Sequence, residues 1–381
     1  MKLHTHWLDD PATVMVMDAL ERGGARAWFV GGCVRDGLLG AEAVDIDIST
    51  DAQPRRVAEI AEAAGLKCVP TGEEHGTVTL VSEHRPYEVT TLRRDVETDG
   101  RRATIAYTER LEEDAHRRDF TINALYAERD GTVLDPTGEG KADLTARRVR
   151  FIGDPHDRIA EDYLRILRFF RFHAWYADPE AGLDAPGLAA ASEMADGLSR
   201  LSRERVGAEM RKLLAAPDPA PAVAAMEMSG VLSRILPGAD SRLLPVLVSL
   251  ENGYRPDAIR RLAALGGEDV AERLRLSRAE AKRLAALRAG MGEPTSPGEL
   301  GYRHGLETAR DVLLLRGTVN GQPPDAEALS EAERGQGAVF PVRAADLMPD
   351  FEGPALGAEL SRLERVWIGS GFRLSREELL S

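Results

Sequence analysis

The sequence predicts an α+β protein, in which a small mixed sheet with helices on it is followed by an all-α region. Short β-rich runs alternate with helical stretches in residues 1–150. From about Asp154 the strand signals fade, and Leu, Ala, Arg and Glu recur at spacings near the helical period of about 3.6 residues. A chain of 381 residues also exceeds one ordinary core of roughly 100–200 residues, so we expect several domains.

The first 150 residues contain segments with the composition and boundaries of strands. These segments are rich in β-branched and aromatic residues, and Gly and Asp turns bound them. The predicted strands, the last of which is a strand or a hairpin, are Ala27–Val30, Ala43–Ile48, Thr77–Val81, Tyr87–Leu92 and Leu125–Leu134. The predicted helices are Pro11–Leu20 and Pro54–Ala64. This order is typical of a small mixed sheet with helices packed on it.

Helical periodicity dominates the remainder of the chain. The predicted helices are Ile159–Tyr176, Ser202–Ala215, Pro219–Met228, Leu243–Leu250, Pro256–Leu265, Asp269–Leu274, Arg278–Arg288 and Thr308–Leu315. Clusters of Pro and Gly at 217–221, 290–298 and 317–324 are candidate joints. The C-terminal helices carry scattered arginines that either follow an RNA backbone or form a solvated helix face, namely Arg255, Arg260, Arg261, Arg273, Arg275, Arg278, Arg283 and Arg288.

The composition limits the class of partner and the compartment. The formal net charge of −14 argues against an indiscriminate nucleic-acid binder, although a local basic groove remains compatible with it. Charged residues break every long apolar window, and the N-terminal residues have no apolar signal core, so we expect a cytoplasmic protein without a membrane span. Cys33 and Cys68 form no CxxC pair, and we expect both to be reduced.

Two glycines follow the first predicted strand, in the run GGCVRD at residues 31–36. Glycines in this position let the backbone approach a triphosphate, and the helix that follows offers free N–H groups. By itself, such a pair is most often only a turn. A second motif therefore has to support the phosphate-binding interpretation.

That motif is VDIDIS at residues 44–49. In a strand, alternate side chains share one face, so Asp45 and Asp47 would project together while Val44, Ile46 and Ile48 pack behind them. Two adjacent carboxylates repel, and a divalent cation would relieve the repulsion. The alternative is a polar strand face without a metal.

Glu88 lies in another alternating strand, YEVTTL at residues 87–92. It would bring a third carboxylate to the metals if that strand neighbours the aspartate pair, and otherwise it is a solvated strand residue. Such a triad suits two-metal phosphoryl transfer, in which one ion activates a hydroxyl and the other neutralises the leaving pyrophosphate.

Two further blocks set charged residues against apolar ones. In EEDAHRRDFTINALY, residues 112–126, the polar side chains of Arg117, Arg118, Asp119 and Asn123 indicate either a wall that lines a site or a capped helix start.

In EDYLRILRFFR, residues 161–171, Glu161 and Asp162 precede Arg165 by four and three residues. On a helix this is the spacing of an ordinary surface ion pair.

With these blocks in this order, the chain resembles the class II tRNA nucleotidyltransferases, which comprise the bacterial CCA-adding enzymes and related poly(A) polymerases. The matching motifs, between Trp28 and Phe172, are GGCVRDGLLG, VDIDIST, YEVTTLRRD, DGRR, RRDFTINALY, LDPTGEGKADL and EDYLRILRFFRF. The resemblance implies a polymerase-β-type nucleotidyltransferase head at residues 1–150. It also implies a helical neck at 151–216, a body at 217–292 and a tRNA-contacting tail at 293–381.

The resemblance also assigns site residues by position. It makes Asp45 and Asp47 the ligands of Mg²⁺, with Glu88 as a supporting carboxylate. The residues implied at the incoming nucleotide are Gly31, Gly32 and Arg35 by the triphosphate, Arg118, Asp119 and Asn123 by the ribose, and Glu161, Asp162, Arg165 and Arg168 on the base-selecting helix. The flexible loop for the final A would contain Asp99, Arg101 and Arg102, with Ala103 where many relatives have Pro.

The implied activity is template-independent addition of CMP and AMP to the 3′ end of tRNA from CTP and ATP, with release of pyrophosphate. Alternatives within the family are partial CC- or A-addition and poly(A) synthesis. The DGRR loop disfavours a CC-only enzyme, and a strongly basic C-terminal extension, which would favour a poly(A) polymerase, is missing from the sequence. An alternative of another class is a non-catalytic RNA-binding protein, which would gain nothing from paired carboxylates facing RNA phosphates.

Overall fold

The computed structural model describes residues 1–72, 76–99 and 102–381, with the backbone alone at 95–99 and 102–105. The chain divides into two compact units. The first comprises residues 1–209 and 228–234, and the second comprises residues 210–227 and 235–381. None of the described helices combines the length and the apolar composition that a membrane crossing requires.

The first unit is built on a mixed sheet, as predicted. The strands of the described chain are β1 (Ala27–Val30), β2 (Asp47–Thr50), β3 (Lys67–Gly72), β4 (Thr77–Ser82), β5 (Arg85–Thr91), β6 (Arg93–Asp99), β7 (Arg102–Tyr107), β8 (Tyr126–Ala127) and β9 (Val133–Leu134). Seven of them pair in the order β3-β4-β5-β2-β1-β8-β9. Only the β2–β5 pair of this sheet is parallel, within the described residues.

Helices pack around this sheet and make up the second unit. The helices of the described chain are α1 (Pro11–Arg22), α2 (Gly32–Leu38), α3 (Pro54–Ala63), α4 (Leu111–His116), α5 (Gly140–Thr145), α6 (Pro155–Glu161), α7 (Leu164–Tyr176), α8 (Ala185–Glu193), α9 (Arg203–Leu214), α10 (Ala220–Met228), α11 (Val231–Ile235), α12 (Leu244–Leu250), α13 (Ala258–Leu265), α14 (Val270–Arg273), α15 (Arg278–Gly292), α16 (Pro297–Asn320), α17 (Ala326–Gly337), α18 (Gly353–Gly369) and α19 (Arg376–Leu380). Within α16, Gly305 has a φ of 79° and kinks the helix.

The predicted strand at Ala43–Ile48 is wrong in its boundaries. Strand β2 begins at Asp47, whose backbone pairs with that of Glu88, and Asp45 lies in a bend before it. Val44 is 93% exposed, so it does not pack behind the aspartates. The alternation of apolar and acidic residues therefore continues past the end of the sheet, where ladder hydrogen bonds no longer hold the chain extended.

The segment 94–107, in which the sequence places the flexible loop, contains paired strands. Strands β6 and β7 form an antiparallel pair, with a register shift between Asp95 and Glu97. The segment lacks an alternating apolar pattern, so backbone ladder bonds rather than an apolar face specify it. Edge strand β3 was also missed, because its residues are largely exposed and include Pro70.

The single helix predicted at Ile159–Tyr176 is two helices, α6 and α7. They are separated at Asp162, which has extended backbone angles of φ −155° and ψ 107°. The Asp162 carboxylate accepts a hydrogen bond from the Leu164 N–H at 3.1 Å and so satisfies a donor at the start of α7. The helical spacing assumed between Asp162 and Arg165 therefore does not apply.

A cluster of phenylalanines fixes α7 against the segment that follows α4. The ring centroids of Phe120 and Phe172 lie 5.1 Å apart, and those of Phe151 and Phe169 lie 5.4 Å apart. Phe120, Phe151 and Phe169 are each no more than 1% exposed. Because these rings are fully packed, the polar face of α7 is held next to the residues beside Phe120.

The second unit buries two of the scattered arginines. Arg260 and Arg261 are only 4% and 1% exposed, and both pair with the buried Glu251 at 2.7 Å. Arg260 also pairs with the buried Asp311 at 2.7 Å. Both alternatives predicted from the sequence, RNA contact and a solvated helix face, are therefore wrong for these two residues.

Glu251→Gln is expected to lower the free energy of unfolding of the second unit by about 3 kcal/mol or more. The change removes the carboxylate that two buried guanidinium groups share, and an uncompensated buried charge costs about 3–5 kcal/mol. Urea denaturation followed by circular dichroism measures the change. Glu333→Gln is the matched control, because it breaks an exposed pair with Arg310 and should cost under about 1 kcal/mol. Equal shifts for both variants would contradict the expectation.

Candidate active site

A polar cavity of about 440 Å³ lies in the first unit, beside the carboxyl end of β1. The side chains and backbone that line it are Gly31, Gly32, Arg35, Asp47, Arg117, Arg118, Asp119, Asn123, Asp162, Leu164, Arg165, Arg168, Phe172 and Arg205. Six arginines face three aspartates in this lining. Each of these arginines has an acidic partner in the protein, and the guanidinium N–H groups that face the cavity are the donors that phosphate oxygens accept.

The glycine pair forms the turn from β1 into α2. Gly31 has a φ of 72°, a backbone conformation that residues other than glycine rarely adopt. A Cβ atom at Gly31 would also stand 3.4 Å from the Arg118 guanidinium. Both observations give a physical reason for glycine here, and they let the backbone form one wall of the cavity.

Arg35 lines the cavity, but its guanidinium group is already engaged by protein groups. It donates to both carboxylate oxygens of Asp36, to the Asn123 side-chain oxygen at 2.5 Å and to the Tyr176 hydroxyl at 2.7 Å. Its guanidinium carbon also lies 3.9 Å from the centroid of the Tyr176 ring. Arg35 therefore joins α2, Asn123 and α7, and it is only 6% exposed.

The buried Asp114 positions the two arginines that follow α4. Its carboxylate accepts hydrogen bonds from the Arg117 side chain at 2.8 Å and from the Arg118 side chain at 3.1 Å. The Tyr126 hydroxyl and the Arg93 backbone N–H also donate to it, at 2.5 and 3.2 Å. Burial raises the pKa of Asp114. The guanidinium groups of Arg118 and Arg117 lower it by more than burial raises it, and the resulting pKa is about 2. Asp114 is therefore fully ionised at neutral pH.

A second buried carboxylate, Asp119, binds Asn123 and Arg168. It accepts hydrogen bonds from the Asn123 amide at 3.0 Å and from the Arg168 side chain at 2.6 Å. Burial raises the pKa of Asp119, while Arg168 and the Asn123 amide lower it, to about 2 overall. The ion pair connects the segment after α4 to α7.

Asp162 and Arg165 both line the cavity, yet their side chains are held by different partners. Asp162 accepts a hydrogen bond from Arg205 at 2.6 Å. Arg165 pairs with Glu161 and donates to the backbone carbonyl of Arg117 at 3.1 Å. Within the described structure, no side-chain hydrogen bond joins Asp162 to Arg165, so only the Glu161 half of the predicted ion pair is present.

The acidic residues at the edge of the cavity repel one another. Burial raises the pKa of Asp47, Glu88 and Asp45 raise it further, and Arg118 opposes them, with a result of about 6. Among the described residues, no group of three His, Cys, Asp or Glu side chains is placed to hold a metal ion by itself.

The structure brings most of the predicted nucleotide-binding residues together. Of these, Glu161 does not line the cavity, although it contacts the lining residue Arg165. Of the three predicted carboxylates of the metal site, Asp47 lines the cavity, and Asp45 and Glu88 do not. Arg101 lies outside the described residues, and of Asp99 and Arg102 only the paired backbone is described.

Sequence reasoning missed three residues that shape the cavity. Asp114 carries a local signal, since it precedes Arg117 and Arg118 by three and four residues. Phe172 received no role from the sequence, where it only ends the last matching motif. Arg205 has no such signal, because 43 positions separate it from its partner Asp162.

Comparisons with known proteins identify two domains and several relatives. Residues 27–150 match the poly A polymerase head domain, and residues 186–243 match a domain described as a probable RNA and SrmB-binding site of polymerase A. The chain is 35% identical over 375 residues to the mitochondrial CCA tRNA nucleotidyltransferase 1 of Mus musculus, covering 93% of this chain and 85% of the relative. It is 36% identical over 297 residues to the CCA-adding enzyme of Streptococcus gordonii, covering 75% of this chain and 72% of the relative.

Solved structures agree with the sequence comparisons. The Bacillus stearothermophilus CCA-adding enzyme in complex with CTP has a TM-score of 0.81 and 26% identity, covering 96% of this chain and 94% of the other. The Thermotoga maritima CCA-adding enzyme complexed with tRNA has a TM-score of 0.70 and 18% identity, covering 100% and 98%. At 18% identity the second likeness concerns the fold alone.

Proposed function

Because the chain belongs to the CCA-adding family of tRNA nucleotidyltransferases, the family predicted from its motifs, we propose that it adds CMP and AMP to the 3′ end of tRNA. CTP and ATP are the donors and pyrophosphate leaves. The observation that carries this proposal is the cavity itself, where six arginines stand beside Asp47. A triphosphate needs the positive charge, and a metal-dependent phosphoryl transfer needs the carboxylate.

The donor set fits Mg²⁺. This ion usually binds through one or two carboxylates, and substrate phosphates and water complete its coordination. Asp45 and Asp47 would hold it, with Glu88 behind them. The pKa of Asp47 is raised first by burial and then by repulsion from Glu88 and Asp45, and a cation would relieve that repulsion. When bound, the metal lowers the pKa of the attacking hydroxyl and neutralises charge on the leaving pyrophosphate.

The remaining residues of the cavity have roles in binding and orientation. The resemblance implies Arg118 beside the ribose, but its guanidinium group lies next to the Gly31 turn, so we assign it to the triphosphate together with Arg117, and Asp114 keeps both guanidinium groups in place. Asp119 and Asn123 would contact the ribose. The glycine turn admits the phosphates next to Arg118. The tRNA 3′-hydroxyl then attacks the α-phosphate.

Asp162 and Arg165 would select the base without a nucleic-acid template. Cytosine and adenine each present a ring nitrogen acceptor beside an amino donor, whereas uracil and guanine present a ring N–H donor beside a carbonyl. A carboxylate only accepts hydrogen bonds and a guanidinium only donates them. Since both side chains line the cavity, they can satisfy C and A and leave U and G mismatched.

The test is to incubate the protein with Mg²⁺ and a tRNA that ends at its discriminator base. The four nucleoside triphosphates are added singly and together, and the products are sized. We expect two C residues with CTP alone and the full CCA end with CTP and ATP. A ladder of A residues would favour poly(A) synthesis, arrest after CC or a need for a CC-ending substrate would favour partial addition, and no product would favour a non-catalytic RNA-binding protein.

Replacing Arg101 and Arg102 together by Ala is expected to leave CC addition nearly unchanged and to stall the product before A. The resemblance assigns this loop to the switch from C to A. The lengths of the products formed from CTP and ATP measure the effect. Equal losses of C and A addition would instead make the two arginines general phosphate contacts.

We also propose the head at 1–150, the neck at 151–216, the body at 217–292 and the tRNA-contacting tail at 293–381 as functional divisions. A cytoplasmic location belongs to the same proposal and rests on composition, while the mouse relative is mitochondrial by name. Sizing the complexes that head-only and full-length proteins form with tRNA tests the division.

A further inference from the structure

Arg205 lines the cavity and contacts the candidate base-selecting residue Asp162. In the described structure it forms no hydrogen bond or ion pair with the phosphate-binding wall, by which we mean Gly31, Arg117 and Arg118. Arg205, in α9, donates a hydrogen bond to one carboxylate oxygen of Asp162 at 2.6 Å. The other oxygen of Asp162 accepts the Leu164 backbone N–H at 3.1 Å. Side-chain exposures of 34% for Arg205 and 28% for Asp162 show that the pair faces the cavity without being buried. Each oxygen of Asp162 therefore has one protein donor and keeps lone pairs toward the cavity.

Arg165 does not share this restraint. Its guanidinium group pairs with Glu161 and donates to the backbone carbonyls of Arg158 and Arg117, at 3.0 and 3.1 Å. The two candidate base-selecting side chains are thus positioned independently, and Arg205 is the charged side chain that the described structure pairs with Asp162.

We propose that Arg205 is a specificity-determining positioning residue, which keeps the Asp162 carboxylate oriented toward the incoming base. This inference rests on the proposed function. A carboxylate oxygen accepts the amino hydrogen of cytosine or adenine and finds no donor in the carbonyl of uracil or guanine, so the selection depends on where the carboxylate of Asp162 points. A guanidinium group at hydrogen-bond distance fixes the plane of that carboxylate.

The experiment measures single-nucleotide incorporation from CTP and from UTP by wild type, Arg205→Gln, Arg205→Lys and Asp162→Asn. Arg205→Gln is expected to reduce the ratio of kcat/KM for CTP to that for UTP by about tenfold, since one mismatched polar contact costs this much. Arg205→Lys keeps the charge and should retain most of the preference. In the Asp162→Asn background, Arg205→Gln should change the ratio by less than twofold, because both act through one carboxylate.

Arg234→Gln is the matched control. Arg234 lies in the same unit and pairs with Asp196 at 2.7 Å, but it does not line the cavity. Its CTP to UTP ratio should equal that of wild type. Retention of tRNA affinity in all variants, measured by gel shift, excludes a general loss of fold.

Two outcomes would overturn the inference. If Arg205→Gln keeps the wild-type ratio of kcat/KM for CTP to that for UTP, Arg205 has no role in selection. If Arg205→Gln lowers kcat/KM equally for CTP and UTP, and this loss adds to the loss in Asp162→Asn, Arg205 contacts the phosphates directly. Calorimetric binding of CTP and of UTP gives the same comparison without turnover. If the wild-type protein transfers no nucleotide, the proposed function is refuted. The difference in affinity between CTP and UTP, measured in wild type and in Arg205→Gln, then still tests the role of Arg205.

Discussion

Replacing Asp47 by Asn is expected to abolish nucleotide addition, with a fall of about a thousandfold or more in rate at saturating CTP and Mg²⁺. Asp47 lines the cavity at the start of β2, and metal stabilisation of phosphoryl transfer is worth several kcal/mol. Asp45→Ala should have a similar effect. Gel shifts should show that tRNA binding survives in both variants, because they add no bulk and remove negative charge.

The fold should survive these changes as well. The pKa of Asp47 is raised from 3.8 to about 6, so its ionised form is disfavoured in the folded protein, and the resulting loss of stability develops between these two pH values and is complete at pH 7. Asp47→Asn should therefore unfold at the same or a higher urea concentration at pH 7. Asp51→Asn, four residues further along, is the matched control, since Asp51 pairs with Arg26 outside the cavity and should keep activity. A tenfold or smaller loss in Asp47→Asn would contradict the metal assignment.

The parts of the fold that sequence predicted are those with a buried face. Strand β1 is buried at all four positions, and its predicted bounds are confirmed. The alternating pattern gave a wrong prediction at Val44. The residues just before β2 alternate between apolar and acidic as a strand does, but within the described chain no neighbouring strand pairs with them. It failed again at β6 and β7, because their backbones pair although their sequences show no apolar periodicity. A local sequence pattern therefore predicts which residues are buried better than it predicts which strands pair.

The candidate site shows the same limit. Local motifs predicted the residues that line the cavity from the glycine turn and from α7, because each lies within a short run. Pairings between distant segments could not be read in this way. Spacing along one helix suggested that Asp162 pairs with Arg165, whereas a helix break at Asp162 turns its side chain toward Arg205, in α9.

Asp114 connects distant segments at the phosphate-binding wall as well. It is completely buried, and it binds the side chains of Arg117 and Arg118 together with the backbone N–H of Arg93 at the start of β6. One carboxylate thus connects the base of the β6–β7 pair to both arginines. Its removal would leave two partly buried guanidinium groups without their shared counter-charge, so both stability and triphosphate binding depend on it.

Asp114→Asn is expected to lower the free energy of unfolding by about 3 kcal/mol at pH 7 and to raise the KM for CTP and for ATP more than it lowers kcat. Because the pKa of Asp114 is about 2 in the folded protein, below its ordinary value near 3.8, its contribution is complete above about pH 5. It is lost as the pH falls toward 2. The stability difference between wild type and Asp114→Asn should therefore narrow by about 1 kcal/mol between pH 7 and pH 3.

Glu113→Gln separates this effect from a general change in α4. Glu113 neighbours Asp114 and accepts a hydrogen bond from the Thr108 hydroxyl at 2.7 Å, but its side chain is 33% exposed and does not contact the cavity lining. Its variant should change stability by under about 1 kcal/mol and leave both KM values unchanged. Urea denaturation at the two pH values and initial rates over a range of CTP and ATP concentrations supply the measurements. A stability difference that stays constant with pH would show that Asp114 acts through packing rather than charge. An unchanged KM would show that Arg117 and Arg118 hold the triphosphate without it.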